Sequence, residues 1–438
     1  MNVILLSGGS GKRLWPLSND VRSKQFIKIF KGKDDEYESM VQRMYHSIKT
    51  IDKEANITIA TSKTQVSELI NQLGEGLNIS VEPSRRDTFP AIVLAAAYLH
   101  DVMHVSENDS VIVCPVDPYV EDDYFFALKE LDKLSQNSDF DLTLMGIAPT
   151  YPSEKYGYII PVSKANVSSV SSFKEKPDLI SAKKYIEQGA LWNAGIFAFK
   201  IGYVLKKAHE IISFSDYYDL FGKYSNIQKI SFDYAMVEHT KNIQVLRFSG
   251  KWKDLGTWNT LTEAMDKNII GDVTLNEKCE NVHVINSLNL PVLCMGLKNI
   301  IIATSSEGIL ITEPTQSALI KPFVEKFDST VKYAEKSWGK YEVLDISNDS
   351  MTIKVSLNSG HKMSYHSHER RDETWTIISG KGTVIVDGMT QNVRAGDVVT
   401  MQAGCRHTII ANTDIQLIEV QLGKDIDVKD KKKYEIDE

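Results

Sequence analysis

The chain carries little that would staple or anchor it. Its four cysteines, Cys114, Cys279, Cys294 and Cys405, stand apart with no CxxC pair. That scatter argues against a disulfide framework or a structural zinc site and favours a reduced, cytoplasmic setting. No apolar run approaches the ~18 residues of a membrane span. The first apolar run, Val3–Leu6, has no basic stretch before it, so no signal peptide is read there. A basic excess is also missing. Lys and Arg total 50 against 58 Asp and Glu, a net charge of −8, which speaks against a nucleic-acid partner. The run Lys429–Lys433 is flanked by acids and reads as a solvated face of a charged tail, 426–438.

What remains is an ordinary globular composition, 42% hydrophobic and 25% charged over 438 residues, enough for two or three domains. From residue 1 to about 265 strand-like runs (Val3–Leu6, Ile57–Ala60, Ser110–Val113, Leu142–Ile147, Ile243–Phe248) alternate with helical patterns (Pro90–Met103, Asp122–Leu134, Ser181–Gln188). This alternation predicts an α/β layer fold on a mixed, mostly parallel sheet. Over 266–335 short β-rich runs alternate with Asn, Gly and Ser, as in a small sheet or a few turns of a β-helix. A helical stretch near Gln316–Ala334 follows as connector. Over 336–425 strands punctuated by glycines 360, 380, 382, 388, 396 and 404 predict a small antiparallel barrel or jelly roll.

The segment Leu5-Leu-Ser-Gly-Gly-Ser-Gly-Lys-Arg-Leu-Trp-Pro-Leu-Ser18 holds three glycines, two cations and no acid. A dinucleotide loop needs a third glycine where Leu14 stands. A P-loop needs a glycine where Leu6 stands and a hydroxyl where Arg13 stands. What is left is a glycine loop after a strand whose backbone N–H groups approach phosphates, with cations to neutralise them. Two aspartates, Asp117 in "CPVDPY" and Asp254 in "KWKDLG", follow strand-like runs. They can meet at the carboxyl edge of one sheet, where open α/β folds bind ligands.

Gly8-Gly-Ser-Gly-Lys-Arg-Leu-Trp-Pro-Leu-Ser18 with Lys24-Gln25-Phe26 resembles the signature of the sugar-1-phosphate nucleotidyltransferases, in the form used by mannose-1-phosphate guanylyltransferases. "EPSRRDTFPAI", "PVDPYV", "GIAPTYPSEKYGYI", "FKEKPD", "LWNAGIFAF", "FDYAMVE" and "WKDLGTW" follow in the family's order across nearly all of 1–265. The resemblance implies a Rossmann-like transferase domain that takes GTP and mannose 1-phosphate to GDP-mannose and pyrophosphate for glycan synthesis. It implies that Asp117 and Asp254 hold Mg²⁺, and that Arg13 and Lys24 face the triphosphate as catalytic cations. Leu6, Gly8, Gly9, Gly11, Lys12, Arg86 and Thr88 would then surround the nucleotide. Lys176 would hold the sugar phosphate, with Glu175, Asn193, Gly157 and Gly195 about the sugar. Departures from the family pattern are Asp87 for Asn, Ser23 for Pro and Pro118 for His. They leave open another sugar or base, and a sensor without turnover is the alternative from a different class.

In the last domain, Gly360-x5-His366-x-His368-x4-Glu373-x6-Gly380 and Gly396-x7-Gly404-x2-His407 look like the two halves of a cupin motif. Strand residues i and i+2 share a face, so His366 and His368 point the same way. The resemblance gathers them with Glu373 and His407 about one divalent metal, and Zn, Mn, Fe, Ni and Co all suit such a donor set. "SWGKYEVL" and "RDETW" resemble the mannose-6-phosphate isomerase part of bifunctional relatives. His366 and Thr374 stand where those typically carry Gln and His, so isomerase activity stays open. A homodimer or higher homo-oligomer is expected.

Overall fold

Asn2–Leu6, all apolar after its first residue, forms β1, and β1 lies inside the first sheet with a parallel neighbour on each side. The computed structural model describes residues 1–9, 12–19, 21–32, 36–327, 331–424, 426 and 430–435. Its chain folds as two units, one built from 1–10, 23–66 and 72–266, the other from 11–22, 67–71 and 267–438.

In the first unit β2 (Asn56–Ser62), β3 (Asn78–Glu82), β4 (Ser110–Pro115), β5 (Leu142–Ile147), β6 (Gly157–Pro161), β7 (Val167–Lys174), β8 (Leu191–Lys200) and β9 (Ile243–Phe248) join β1. The nine-stranded order is β3-β2-β1-β4-β8-β5-β9-β7-β6. The four strands β3, β2, β1 and β4 run parallel, as do β5 and β9, while β8 runs antiparallel to β4 and β5. Buried parallel strands read as near-continuous apolar runs, which is why Val3-Ile-Leu5 and Val111-Ile-Val113 were legible as strands. Helix α1 (Thr88–Ala97) buries Phe89, Ile92 and Leu94 in one cluster with sheet residues such as Val111, Val113 and Leu144. The expected helix Pro90–Met103 is α1 followed by a π-helical turn, Tyr98–Val102.

In the second unit the β-rich stretch is a parallel coil. Ile269–Ile270, Glu280–Asn286 and Lys298–Ser305 stack in parallel, as do Val273–Leu275 and Val292–Cys294. Asn281 and Asn299 occupy the left-handed region at successive corners, and Asn281 Nδ2 donates to Asn299 Oδ1 at 3.0 Å. Asparagine tolerates that backbone better than most side chains. The expected connector helix is reduced to short turns, Pro314–Leu319 and Lys321–Val324, and Ala334 lies in a strand. Two facing antiparallel sheets then form the barrel, around Trp375, Ile377, Val384, Ile409 and Leu417. Within the stretch expected as a charged tail, Lys432–Lys433 adds an edge strand by pairing with His366–Ser367.

Candidate functional site

At the carboxyl end of β1 the chain turns through Ser7, Gly8 and Gly9. Gly9 sits at φ 129°, in a region that favours glycine. The turn is tied from behind. Ser23 Oγ donates to the Gly9 carbonyl (2.9 Å), Gln65 Nε2 donates to Ser23 Oγ (2.5 Å), and Gln25 Nε2 donates to the Ser7 carbonyl (3.2 Å). Ser23, a departure in the sequence pattern, is therefore a brace for the glycine turn. Leu6 ends β1, and its carbonyl accepts the Val116 N–H at 3.3 Å. Gly11 lies outside the described residues. Lys12 and Arg13 form a 3₁₀ turn in the second unit, Arg13 exposed and Lys12 half-buried.

Asp117 lies just past β4. The ribbon Trp252–Asp254 pairs antiparallel with Pro118–Val120, setting Asp254 opposite Pro118. That pairing brings together two carboxylates far apart in sequence. Lys24 lies between them, its Nζ 2.7 Å from Asp117 Oδ2 and 3.9 Å from Asp254 Oδ1. Two adjacent carboxylates repel, so a cation belongs between them. Here the ammonium fills that role, and a hard divalent ion suits the same oxygens.

The residues expected about the sugar also converge. Glu175 Oε1 accepts from Lys176 Nζ at 2.9 Å, while its buried Oε2 has no hydrogen-bond partner. Burial works against the Lys176 charge, but the bond and charge of Glu175 hold its ammonium above the ordinary range. Asn193 Nδ2 donates to Asp233 Oδ1 (2.6 Å), and Gly195 N–H donates to Asn193 Oδ1 (3.2 Å). Gly195, at φ 71°, sits where β8 breaks register against β5 between Asn193 and Phe197. Gly157 lies under Glu175 and Phe173, so a side chain there would strike both.

Arg86 and Thr88 are spoken for by the fold. The Arg86 guanidinium donates to the Ser225 carbonyl, and Thr88 Oγ1 accepts from the Phe232 N–H at 2.9 Å. Asp87, at φ 71°, accepts from the Thr88 N–H and caps α1.

Sequence reasoning missed three features. Asp233, on a π-helical turn (Asp233–Val237), is pushed up to about 6 by burial first and by the Glu175 charge second. Glu82, at the end of β3 beside Gly8, is raised by burial although Tyr224 Oη donates to it at 2.7 Å. An aromatic wall joins Tyr151, Tyr156, Trp192 and Trp252, with Tyr156 and Trp192 centroids 4.8 Å apart. The buried indole N–H groups of Trp192 and Trp252 have no hydrogen-bond partner. The signal was present in "PTYPSEKYGYI", "LWN" and "WKDLG", but aromatics read as core until their N–H groups are located.

In the second unit His366, His368, Glu373 and His407 are each 2% exposed. Their donor atoms lie within 4.8 Å of one another. Each imidazole Nδ1 faces a carbonyl: Ser364 for His366 (2.6 Å), Asp430 for His368 and Cys405 for His407 (3.1 Å). A carbonyl only accepts, so Nδ1 carries a proton in each ring, and Nε2 is the nitrogen left to face the cluster. His407 Nε2 stands 3.1 Å from Glu373 Oε2. A buried carboxylate needs a partner at that distance, and a metal cation shared with the imidazole nitrogens supplies one. Burial, aided by the Lys431 charge, pushes His366 down to about 2, and burial pushes His368 down to about 4. Burial opposes ionisation of Glu373, yet His407, His368 and Arg371 together hold it at about 2. The set fits a divalent metal with three neutral nitrogens and one carboxylate. In the same barrel, Glu419 is pushed up to about 8 by burial and the Glu373 charge, and it accepts from Gln421 Nε2 at 2.5 Å.

Residues 2–269 match the family model described as nucleotidyl transferase, and residues 326–436 match mannose-6-phosphate isomerase C-terminal. The chain is 28% identical over 477 residues to the mannose-1-phosphate guanylyltransferase of Salmonella montevideo, covering 98% of each. It is 26% identical over 472 residues to that of Escherichia coli K12, covering 98% of this chain and 96% of the relative. The crystal structure of mannose-1-phosphate geranyltransferase from Thermus thermophilus shares the fold, with a TM-score of 0.60 at 21% identity over 74% of this chain and 98% of that one.

Proposed function

The chain belongs to the nucleotidyl transferase family, and on that basis we propose that it makes GDP-mannose. A phosphate oxygen of mannose 1-phosphate attacks the α-phosphorus of GTP, a P–O bond forms, and the bond to the β-phosphate breaks to release pyrophosphate. The observation that carries this reading is the pair Asp117 and Asp254 brought to one place beside the glycine turn, with Lys24 between them. These carboxylates are the residues to hold Mg²⁺, which when bound offsets the charge of the phosphates.

The remaining work falls to the protein's own groups. The nucleophilic oxygen is already ionised, so positioning and charge stabilisation suffice. Lys24 and Arg13 neutralise the triphosphate as charge moves to the leaving pyrophosphate. Gly8, Gly9, Gly11 and Lys12 contribute backbone N–H groups and a second cation. Lys176 takes the sugar phosphate. Glu175 Oε2 and Asn193 take sugar hydroxyls, with Gly157 and Gly195 leaving room. Arg86 and Thr88 act on the nucleotide side by shaping α1, given the backbone bonds they make.

The barrel takes a divalent transition metal at His366, His368, Glu373 and His407, and Zn, Mn, Fe, Ni and Co remain the candidates. A second activity, interconversion of fructose 6-phosphate and mannose 6-phosphate, is favoured by the buried Glu419 beside that cradle. When bound, the metal supplies polarisation of the carbonyl side. No helix is long and apolar enough to cross a membrane among the described residues, which suits a cytoplasmic enzyme. Exposed Leu290, Leu293, Ile309 and Ile311 on the coil suit a homo-oligomer.

The test is pyrophosphate release over four NTPs against mannose, glucose and fucose 1-phosphates with Mg²⁺. A dominant GTP and mannose 1-phosphate signal, lost in Asp254→Asn with the fold intact, is expected. A peak elsewhere overturns the substrate, and GTP binding without turnover makes the protein a sensor.

A further inference from the structure

The strand carrying His366 and leading into His368 is only two residues long, His366–Ser367. So short a strand has little of its own to fix it. One neighbour is His407 itself, paired with His366. The other is the end of the chain. Lys433 pairs with His366 and Lys432 with Ser367. The Tyr434 N–H donates to the Tyr365 carbonyl at 2.9 Å, and the Ser367 and Tyr434 hydroxyls meet at 3.0 Å. The Arg406 guanidinium lies 4.2 Å from the Tyr434 ring centroid, a cation–π contact that ties the same strand to the segment leading into His407.

Asp430 makes the most direct link. Its carbonyl accepts the Nδ1–H of His368. Its carboxylate accepts the N–H groups of Glu369 (3.0 Å) and Arg370 (3.1 Å). One residue therefore sets the tautomer and ring orientation of His368 and pins the turn that leads from His368 to Glu373. Partners of this kind, one bond removed from a metal ligand, are worth about 10–100-fold in metal affinity.

We infer that residues 430–434 are the positioning element of the barrel's metal site, with Asp430 as the positioning residue for His368, and that docking of this strand and metal occupancy are coupled. The inference rests on the metal reading of the four-residue cradle. Coupling is reciprocal: the strand raises metal affinity, and the metal holds the strand down. A run of lysines at the end of the chain thereby has a structural task that its charge conceals.

The experiment titrates Co²⁺ into the full-length protein, following its ligand-field absorption, and repeats the titration on a chain lacking residues 430–438 and on Asp430→Ala. Loss of at least tenfold affinity in the shortened chain, and several-fold in Asp430→Ala, is expected, with GTP-dependent pyrophosphate release unchanged. Hydrogen exchange gives the converse, since saturating Co²⁺ should slow the amides of 430–434 in the full-length protein. Full affinity in the shortened chain, or exchange at 430–434 indifferent to bound Co²⁺, overturns the inference and leaves the cradle standing. Failure of the full-length protein to bind Co²⁺ overturns both. Should the shortened chain not fold, Asp430→Ala and the exchange data decide alone.

Discussion

Replacing Lys24 with methionine should tighten metal binding while slowing the reaction. The Lys24 ammonium lies 2.7 Å from Asp117 and 3.9 Å from Asp254, where a divalent ion would need those same oxygens. The three side chains are 20%, 33% and 42% exposed, so the dielectric is closer to water than to a core. At those separations a unit charge gains about 1.5 and 1.1 kcal/mol in water, and salt screening leaves ~1–2 kcal/mol of the sum. Mg²⁺ has to displace that interaction before it binds. Methionine keeps most of the stem and removes the charge, so Mg²⁺ affinity should rise by roughly 5–30-fold. Lys24 is also assigned to the triphosphate, and losing one such charge costs about 10²-fold or more in kcat. The assay is the Mg²⁺ dependence of pyrophosphate release at saturating GTP, beside direct Mn²⁺ binding without nucleotide. A weaker or unchanged metal affinity in Lys24→Met would refute the idea that ammonium and metal compete for one pair of carboxylates.

Three further outcomes follow from the same geometry. In Gly157→Ala the new methyl would press on the Glu175 carboxylate and come within 2.8 Å of the Phe173 ring. It should raise KM for mannose 1-phosphate by about tenfold with little change for GTP, at ~1–3 kcal/mol of stability; equal effects on both substrates would separate Glu175 from the sugar. Asp233 is raised to about 6, so the folded state holds a proton that the unfolded state releases from about pH 3.8. Stability is thus lost as pH rises from there to 6 and stays lower above. Asp233→Asn, which keeps an acceptor for Asn193, should recover up to ~3 kcal/mol at pH 7.5 and much less at pH 4.5 in urea unfolding, while turnover falls. For the barrel, His366 and His368 stay neutral down to about pH 4. Zn²⁺ affinity, measured by competition with a chelator, should therefore change by no more than about tenfold between pH 7.5 and 5.5. Two ordinary imidazoles would lose about a hundredfold over that range.

The chemistry and much of the architecture are written in local stretches of sequence. Apolar runs such as Val3–Leu6 and Val111–Val113 are strands because a strand buried on both faces has no polar side to show. The two-part histidine motif was legible as one cluster because metal ligation demands particular residue types at short spacing, and its four residues do gather in the barrel. The connector helix was overread near Gln316–Ala334, where tertiary pairing drew Tyr333–Lys336 into a strand.

Whatever depends on partners far along the chain emerged with the fold. Ser23 and Asp87 look like defects in a motif. One braces the Gly9 turn through Gln65, and the other caps α1. Lys24 becomes the counter-ion of two carboxylates because a ribbon pairs Asp254 with Pro118. Lys429–Lys433 reads as solvated charge because composition reports hydration, but Lys432–Lys433 lies in a strand. The backbone of that pair is committed, since a two-residue strand at the metal cradle leaves an edge that some other strand has to cover. Local pattern records what a residue can do, and the long-range pairing of backbone donors and acceptors settles which of those things it does.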